Sequence, residues 1–125
     1  MPSWTLHTVF TFDAAHYIEG YDGKCANMHG HTYKVQMSAK SSSLNPSKYL
    51  PTADMVCDFK ELKWPASDAE KGGFDHGLLN DLMESATTAE RLAELIHKRT
   101  MQRIPSSIHL TVTVWETPTS WVVYT

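Results

Sequence analysis

The chain has 125 residues, of which 42% are hydrophobic and 20% are charged, and this balance excludes an intrinsically disordered protein. Its net charge of −3 argues against a nucleic-acid-binding surface, which would need a basic stripe. We therefore expect one compact domain over residues 1–125 that binds no nucleic acid.

Four segments alternate between apolar and polar residues with the period of a β-strand. The residues that share a face are Leu6, Thr8, Phe10, Phe12, Ala14 and His16 in the first segment, and His29, His31, Tyr33, Val35, Met37 and Ala39 in the second. In the third they are Ile108, Leu110, Val112, Val114 and Glu116, and the fourth is the short β-rich segment from Ser120 to Tyr124.

Two helices are predicted between the second and third strands. A short one covers residues 58–63, and a longer one begins near Thr88, where Thr87 and Glu90 fit a capping box and Pro105 marks the stop. The predicted order is ββααββ. It describes an α+β domain in which helices cover one face of an antiparallel sheet.

Three histidines in the first two strands form a candidate metal site. His29 and His31 project to the same side of an extended strand, roughly 6–7 Å apart at the backbone. His16 ends the apolar face of the first strand, where an ionisable ring needs a partner. Three protein ligands with an open position are typical of catalytic zinc. Taken singly, His16 could be a hydrogen-bonded core histidine, and His29 and His31 could belong to a polar turn.

Glu116 continues the apolar face of the third strand, so its carboxylate points toward the core. One explanation is that the sheet ends there and Glu116 is exposed, since Pro118 follows closely. The functional explanation is a fixed acceptor for the paired N–H donors of a flat heterocycle.

Cys25, Asp75 and His76 are candidate proton-transfer groups. A thiol near a divalent cation can ionise near neutral pH, although Cys25 could also be an inert small hydrophobe. Asp75 can orient and polarise His76, or it could simply cap the N-terminus of a helix.

The sequence resembles the family of 6-pyruvoyltetrahydropterin and 6-carboxytetrahydropterin synthases. The matching pieces follow the family order and are residues 10–16, 25–31, 55–63, 74–81, 88–93 and 114–117. The carboxytetrahydropterin branch is more similar, because three residues separate Cys25 from His29 here and the animal pyruvoyl enzymes have a longer spacer.

This resemblance implies the tunnelling fold (T-fold), with a four-stranded antiparallel sheet, two helices on one face, and assembly into a homo-oligomer, a hexamer or related barrel, with active sites between subunits. It implies Zn2+ on His16, His29 and His31, Cys25 as a base, and Asp75 with His76 as a second proton relay. Glu116 would anchor a pterin ring, with Thr88 and Glu90 beside it.

The implied reaction converts 7,8-dihydroneopterin triphosphate to 6-carboxy-5,6,7,8-tetrahydropterin, acetaldehyde and triphosphate, a step toward queuosine. The alternatives are a 6-pyruvoyltetrahydropterin synthase and a non-catalytic zinc- or pterin-binding protein. The start of the chain leads into an alternating segment rather than a secretory leader, and no apolar run has membrane-spanning length. We therefore expect a cytoplasmic protein with no membrane partner, and two cysteines predict no disulfide framework.

Overall fold

The strands form a single five-stranded sheet in the computed structural model, which describes residues 2–125. The strands are β1 (Trp4–His16), β2 (His29–Ser41), β3 (Gly77–Leu78), β4 (His109–Thr117) and β5 (Ser120–Tyr124), in the spatial order β3-β1-β2-β4-β5. The α-helices are α1 (Phe59–Leu62), α2 (Leu79–Leu82) and α3 (Ala89–Met101), and short 3-10 turns cover Lys24–Ala26, Trp64–Ala66 and Ala69–Lys71.

The prediction of four antiparallel strands and two helices in the order ββααββ is wrong in two short elements, β3 and α2. β3 joins the edge of the sheet beside β1 and runs parallel to it, pairing Gly77 with Ala14, so the sheet is mixed. A two-residue strand is too short to show an alternating pattern, and α2 follows it directly. The four longer strands pair antiparallel as expected.

The predicted faces of the two long strands are the faces that pack in the core. β1 and β2 are antiparallel along their full lengths, with Phe10 opposite Val35 and Phe12 opposite Tyr33. The alternate residues between them point to the exposed side. The Phe12 and Tyr33 rings stack with centroids 5.3 Å apart. This register places the polar ends of both strands at the same end of the sheet.

Helix α3 covers the core face and begins one residue later than the capping-box prediction requires. Thr88, not Thr87, is the N-cap, and its side chain accepts a hydrogen bond from the Arg91 backbone N–H. The Thr87 hydroxyl instead donates to the Tyr17 carbonyl. Leu92 and Ile96 are fully buried against the sheet, as the helical spacing predicts.

Across residues 2–125, the helices are all too short or too polar to span a membrane.

Candidate metal and pterin site

The three histidines meet at one end of the sheet because of the β1–β2 register. His16 lies directly opposite His29, and His31 lies opposite Ala14 on the same face. The ring centroids are 4.5 Å apart for His16 and His29, 5.2 Å for His16 and His31, and 4.9 Å for His29 and His31. One ring nitrogen from each lies within 4.8 Å of the others. A role for His16 as a core histidine, or for His29 and His31 as parts of a polar turn, does not explain why the three rings converge.

Backbone carbonyls orient two of the three rings. The Nδ1 of His16 is 2.8 Å from the Thr87 carbonyl oxygen, and the Nδ1 of His29 is 2.7 Å from that of Asn27. A carbonyl can only accept, so each Nδ1 carries a proton, and the Nε2 of each neutral ring keeps its lone pair. Histidine ligands are typically held in this way by a hydrogen bond at the other ring nitrogen.

The site fits a metal ion, because it buries nitrogen atoms that have no partner of their own. The Nε2 atoms of His16 and His31 are buried without a hydrogen bond, which is costly for polar groups. A cation bound by both nitrogens would remove that cost. Three imidazoles are a donor set that suits zinc among other divalent metals. The cluster of His16, His29 and His31 could therefore hold a metal ion.

Burial also keeps His31 in the form that binds metal. Desolvation lowers the pKa of His31, and the nearby charge of Glu116 opposes this effect in part. A lowered pKa means that the ring is unprotonated at neutral pH. Neutral imidazole is the ligating form.

Glu116 faces the histidines, and a β-bulge helps to aim it. β4 and β5 pair Trp115 with Trp121 and Thr117 with Ser120, so Glu116 is an extra residue without a partner in β5. Bulges of this kind redirect side chains and are common beside functional sites. Its Oε2 is 3.9 Å from His16 Nε2, and its Oε1 is 3.8 Å from His31 Nε2. The side chain is 29% exposed, so the strand end does not leave Glu116 in bulk solvent within one chain.

A depression of about 410 Å³ beside the histidines brings together four of the predicted residues. Cys25, Thr88, Glu90 and Glu116 line it, with Trp121 among the neighbours. Cys25 is half-buried in a 3-10 turn, and its carbonyl accepts a hydrogen bond from Ile18 N–H that closes the loop after β1. The depression therefore holds a thiol, a hydroxyl and two carboxylates.

Asp75 and His76 line a different part of the surface. His76, with Asp13 and the edge of His31, borders a second groove of about 450 Å³. The His76 Nδ1 is 2.8 Å from Asp75 Oδ2, and the other Asp75 oxygen accepts a 2.8 Å hydrogen bond from Asp13 N–H. Leu78 occupies the N-cap position of α2, so the interpretation of Asp75 as a helix cap is wrong.

The contact between Asp75 and His76 favours the charged form of both groups, and the histidine ring is largely exposed. The side chain of His76 is 78% exposed. Its hydrogen bond to Asp75 raises the pKa of His76, while the hydrogen bonds from Asp13 N–H and His76 lower the pKa of Asp75. Among residues 2–125, His76 is the one non-glycine residue with a positive φ, at 60°. The ring is exposed, and Asp75 contacts its Nδ1 rather than its Nε2.

The sequence profile of the 6-pyruvoyl tetrahydropterin synthase family matches residues 5–125. The chain belongs to this family. A 6-carboxy-5,6,7,8-tetrahydropterin synthase of Haemophilus influenzae is 35% identical over 136 residues, which cover 92% of this chain and 94% of the relative. An enzyme of the same name from Synechocystis is 31% identical and covers 97% of this chain and 92% of its own length.

Solved structures of the family have the same fold. The Caenorhabditis elegans 6-pyruvoyl tetrahydropterin synthase superposes with a TM-score of 0.72 at 25% identity, covering 99% of this chain and 96% of that one. The Plasmodium falciparum enzyme gives a TM-score of 0.65 at 18% identity, with coverage of 98% and 96%. These family neighbours confirm the T-fold that the resemblance implies. The mixed five-stranded sheet replaces the expected antiparallel sheet of four strands.

Three backbone groups that support the site have no side-chain signal in the sequence. The carbonyls of Thr87 and Asn27, which orient His16 and His29, belong to the backbone, and any residue could supply them. Asp13 also supports Asp75 through its backbone N–H. Only the position of Asp13 in the first strand, three residues before His16, could have pointed to it.

Proposed function

We propose that the chain is a zinc-dependent 6-carboxy-5,6,7,8-tetrahydropterin synthase. It would convert 7,8-dihydroneopterin triphosphate and one water molecule to 6-carboxy-5,6,7,8-tetrahydropterin, acetaldehyde and triphosphate, a step toward queuosine. The observation that carries the proposal is the convergence of three imidazoles with the Glu116 carboxylate, 3.8 and 3.9 Å from two of their nitrogens. The metal site and the Glu116 carboxylate, which would anchor the heterocycle, then lie close enough to act on one small substrate.

His16, His29 and His31 would hold the zinc ion through their ring nitrogens. When bound, zinc supplies a Lewis acid for the hydroxyl-bearing side chain of the substrate. The buried His16 ring makes the most rigid ligand, because it is fully enclosed and is fixed by the Thr87 carbonyl. Three protein ligands leave a coordination position for substrate.

Glu116 would bind the pterin ring. Its carboxylate can accept two parallel hydrogen bonds from adjacent N–H donors, which fixes both affinity and orientation. Thr88 and Glu90, at the start of α3, line the same depression and would contact the ring or its substituents. This arrangement would direct the side chain of the substrate toward the histidines.

Cys25 and the Asp75–His76 pair would transfer protons to and from the substrate. The Cys25 thiol lies in the Glu116 depression and would act as a base on the substrate side chain. His76, held by Asp75, would donate or accept the second proton through its free Nε2. A protonated His76 is the better donor, and the contact with Asp75, which raises the pKa of His76, favours that form.

The proposed enzyme is an oligomer with active sites between its subunits. In one chain, Cys25 and His76 border different grooves. Exposed His76 is well placed to reach a site on a neighbouring copy. β5 lies at an open edge of the sheet, with Trp121 and Val123 more than half exposed, which suits pairing with another copy in a hexamer or related barrel.

The pyruvoyl product is the main alternative, since the family name and the C. elegans relative refer to 6-pyruvoyl tetrahydropterin synthase. The short spacing between Cys25 and His29 and the names of the curated relatives favour the carboxy product. A non-catalytic pterin-binding role is less favoured, because binding alone needs neither Cys25 nor the Asp75–His76 pair.

The decisive experiment is incubation of zinc-loaded protein with 7,8-dihydroneopterin triphosphate, followed by mass spectrometry. We expect 6-carboxytetrahydropterin and acetaldehyde in equal amounts. A pyruvoyl product without acetaldehyde would assign the alternative activity. Unchanged substrate, with pterin binding retained, would assign the non-catalytic role.

A further inference from the structure

A second carboxylate, that of Asp68, lies beside the Asp75–His76 pair. One carboxylate oxygen of Asp68, one of Asp75 and a ring nitrogen of His76 all lie within 4.8 Å of one another. Asp75 is hydrogen-bonded to the ring, at 2.8 Å from Nδ1. Asp68 is exposed.

The loop between Ser67 and Asp75 is built to hold Asp68 in this place. Asp68 and Asp75 form a parallel bridge, in which Asp75 N–H donates to the Ser67 carbonyl over 3.1 Å and Ala69 N–H donates to the Asp75 carbonyl over 2.9 Å. A side chain at Gly73 would place its Cβ 2.1 Å from the Ser67 carbonyl oxygen. Only glycine at this position lets the two segments approach so closely.

The charges that face His76 are all negative. Asp75 and Asp68 lie on this loop, and Asp13 lies on β1, which packs against it. Each of these carboxylates favours the protonated ring. The Asp13 carboxylate also accepts a hydrogen bond from the Thr32 hydroxyl, which leaves its charge in place. Asp68 makes no side-chain hydrogen bond among the described residues, and its charge adds to those of Asp75 and Asp13 as the smallest of the three contributions.

We propose that Asp68 is a positioning residue for His76, which it holds, together with Asp75, in the protonated, proton-donating form. Asp68 acts through His76 and does not touch the substrate. The inference rests on the proposed function for its catalytic consequence, but the charge effect on His76 exists whether or not the chain is a synthase.

The test compares Asp68→Asn with Glu70→Gln, which removes the same charge from the same 3-10 turn two residues away. NMR titration of zinc-loaded protein follows His76, assigned from the spectrum of a His76→Gln variant. We expect the pKa of His76 to fall in Asp68→Asn relative to both the wild type and Glu70→Gln. Asp68→Glu, which keeps the charge, should restore it.

The pH profile of kcat/KM gives an independent readout. Loss of the Asp68 charge should move the limb that reports His76 to lower pH, because the ring then loses its proton more easily. A change of loop structure alone would lower activity without moving that limb. If His76 titrates identically in Asp68→Asn and Glu70→Gln, the inference is overturned. If the NMR shift occurs but no variant, wild type included, turns over substrate, the proposed function fails and the role of Asp68 stands.

Discussion

Replacing Glu116 with glutamine tests the proposed pterin anchor with the least change in shape. The substitution keeps the side-chain length at the β4 bulge but turns one acceptor oxygen into an N–H2 donor. That donor would face a donor of the pterin ring, so one charge-assisted hydrogen bond is lost. Such bonds are worth about 1.5–3 kcal/mol, which corresponds to an affinity roughly 10- to 150-fold weaker.

The assay is titration of the zinc-loaded protein with pterin, monitored by the intrinsic fluorescence of the heterocycle. Glu84→Gln is the matched control, because Glu84 is exposed and lies outside the Glu116 depression. Zinc content must be measured in parallel, since the Glu116 carboxylate lies 3.8 Å from His31 Nε2. Equal pterin affinity in Glu116→Gln and Glu84→Gln, at full zinc content, would refute the anchoring role.

Three further predictions concern the metal and the proton-transfer groups. His29→Ala should lose zinc, as measured by elemental analysis, because two imidazoles give an incomplete ligand set; full zinc content in this variant would contradict the ligand assignment. Cys25→Ala should retain zinc and pterin binding but lose at least about 100-fold in turnover, the lower range for general acid–base catalysis, and unchanged turnover would remove Cys25 from the mechanism. Asp75→Asn should move the His76 limb of the pH profile to lower pH, because the hydrogen bond that raises the pKa of His76 is weakened; an unmoved limb would show that His76 does not control it.

The sequence predicted the strand faces because burial dictates the alternation in β1 and β2. Phe12 and Tyr33 lie on the buried side, as their parity requires, and the same parity places His16 and His31 in the histidine cluster. The distance between His29 and His31 could be predicted from the geometry of a single strand, without tertiary contacts. The position of His16 opposite His29 depends on the register between β1 and β2, which the sequence did not specify.

The features that the sequence could not predict depend on contacts between distant segments. β3 exists because the loop holding Asp75 and His76 is hydrogen-bonded to the Asp13 backbone, and two residues carry no detectable pattern. Thr87 is favoured as the N-cap in the sequence, because Glu90 follows it at the spacing of a capping box. The choice of Thr88 follows from the hydrogen bonds that Thr87 makes to Tyr17 and His16.

The orientation of Glu116 was predicted by a simple continuation of strand parity, but the structure reaches it differently. A bulge interrupts the pairing of β4 with β5 at this residue. A regular strand without a bulge would have given the same prediction for Glu116. The extra residue can be identified only from the pairing of β4 with β5 on both sides of it. Strand parity therefore predicted the direction of the Glu116 side chain, but not the bulge that accompanies it.

X-ray absorption spectroscopy at the zinc edge would show whether the three histidines bind zinc. We expect a zinc site with three imidazole nitrogens at about 2.0–2.1 Å and light-atom ligands in the remaining positions. Loss of this signal in His16→Ala would assign it to the cluster. A sulfur shell near 2.3 Å, which would make Cys25 a ligand rather than a base, or a protein that binds no zinc at all, would contradict the account.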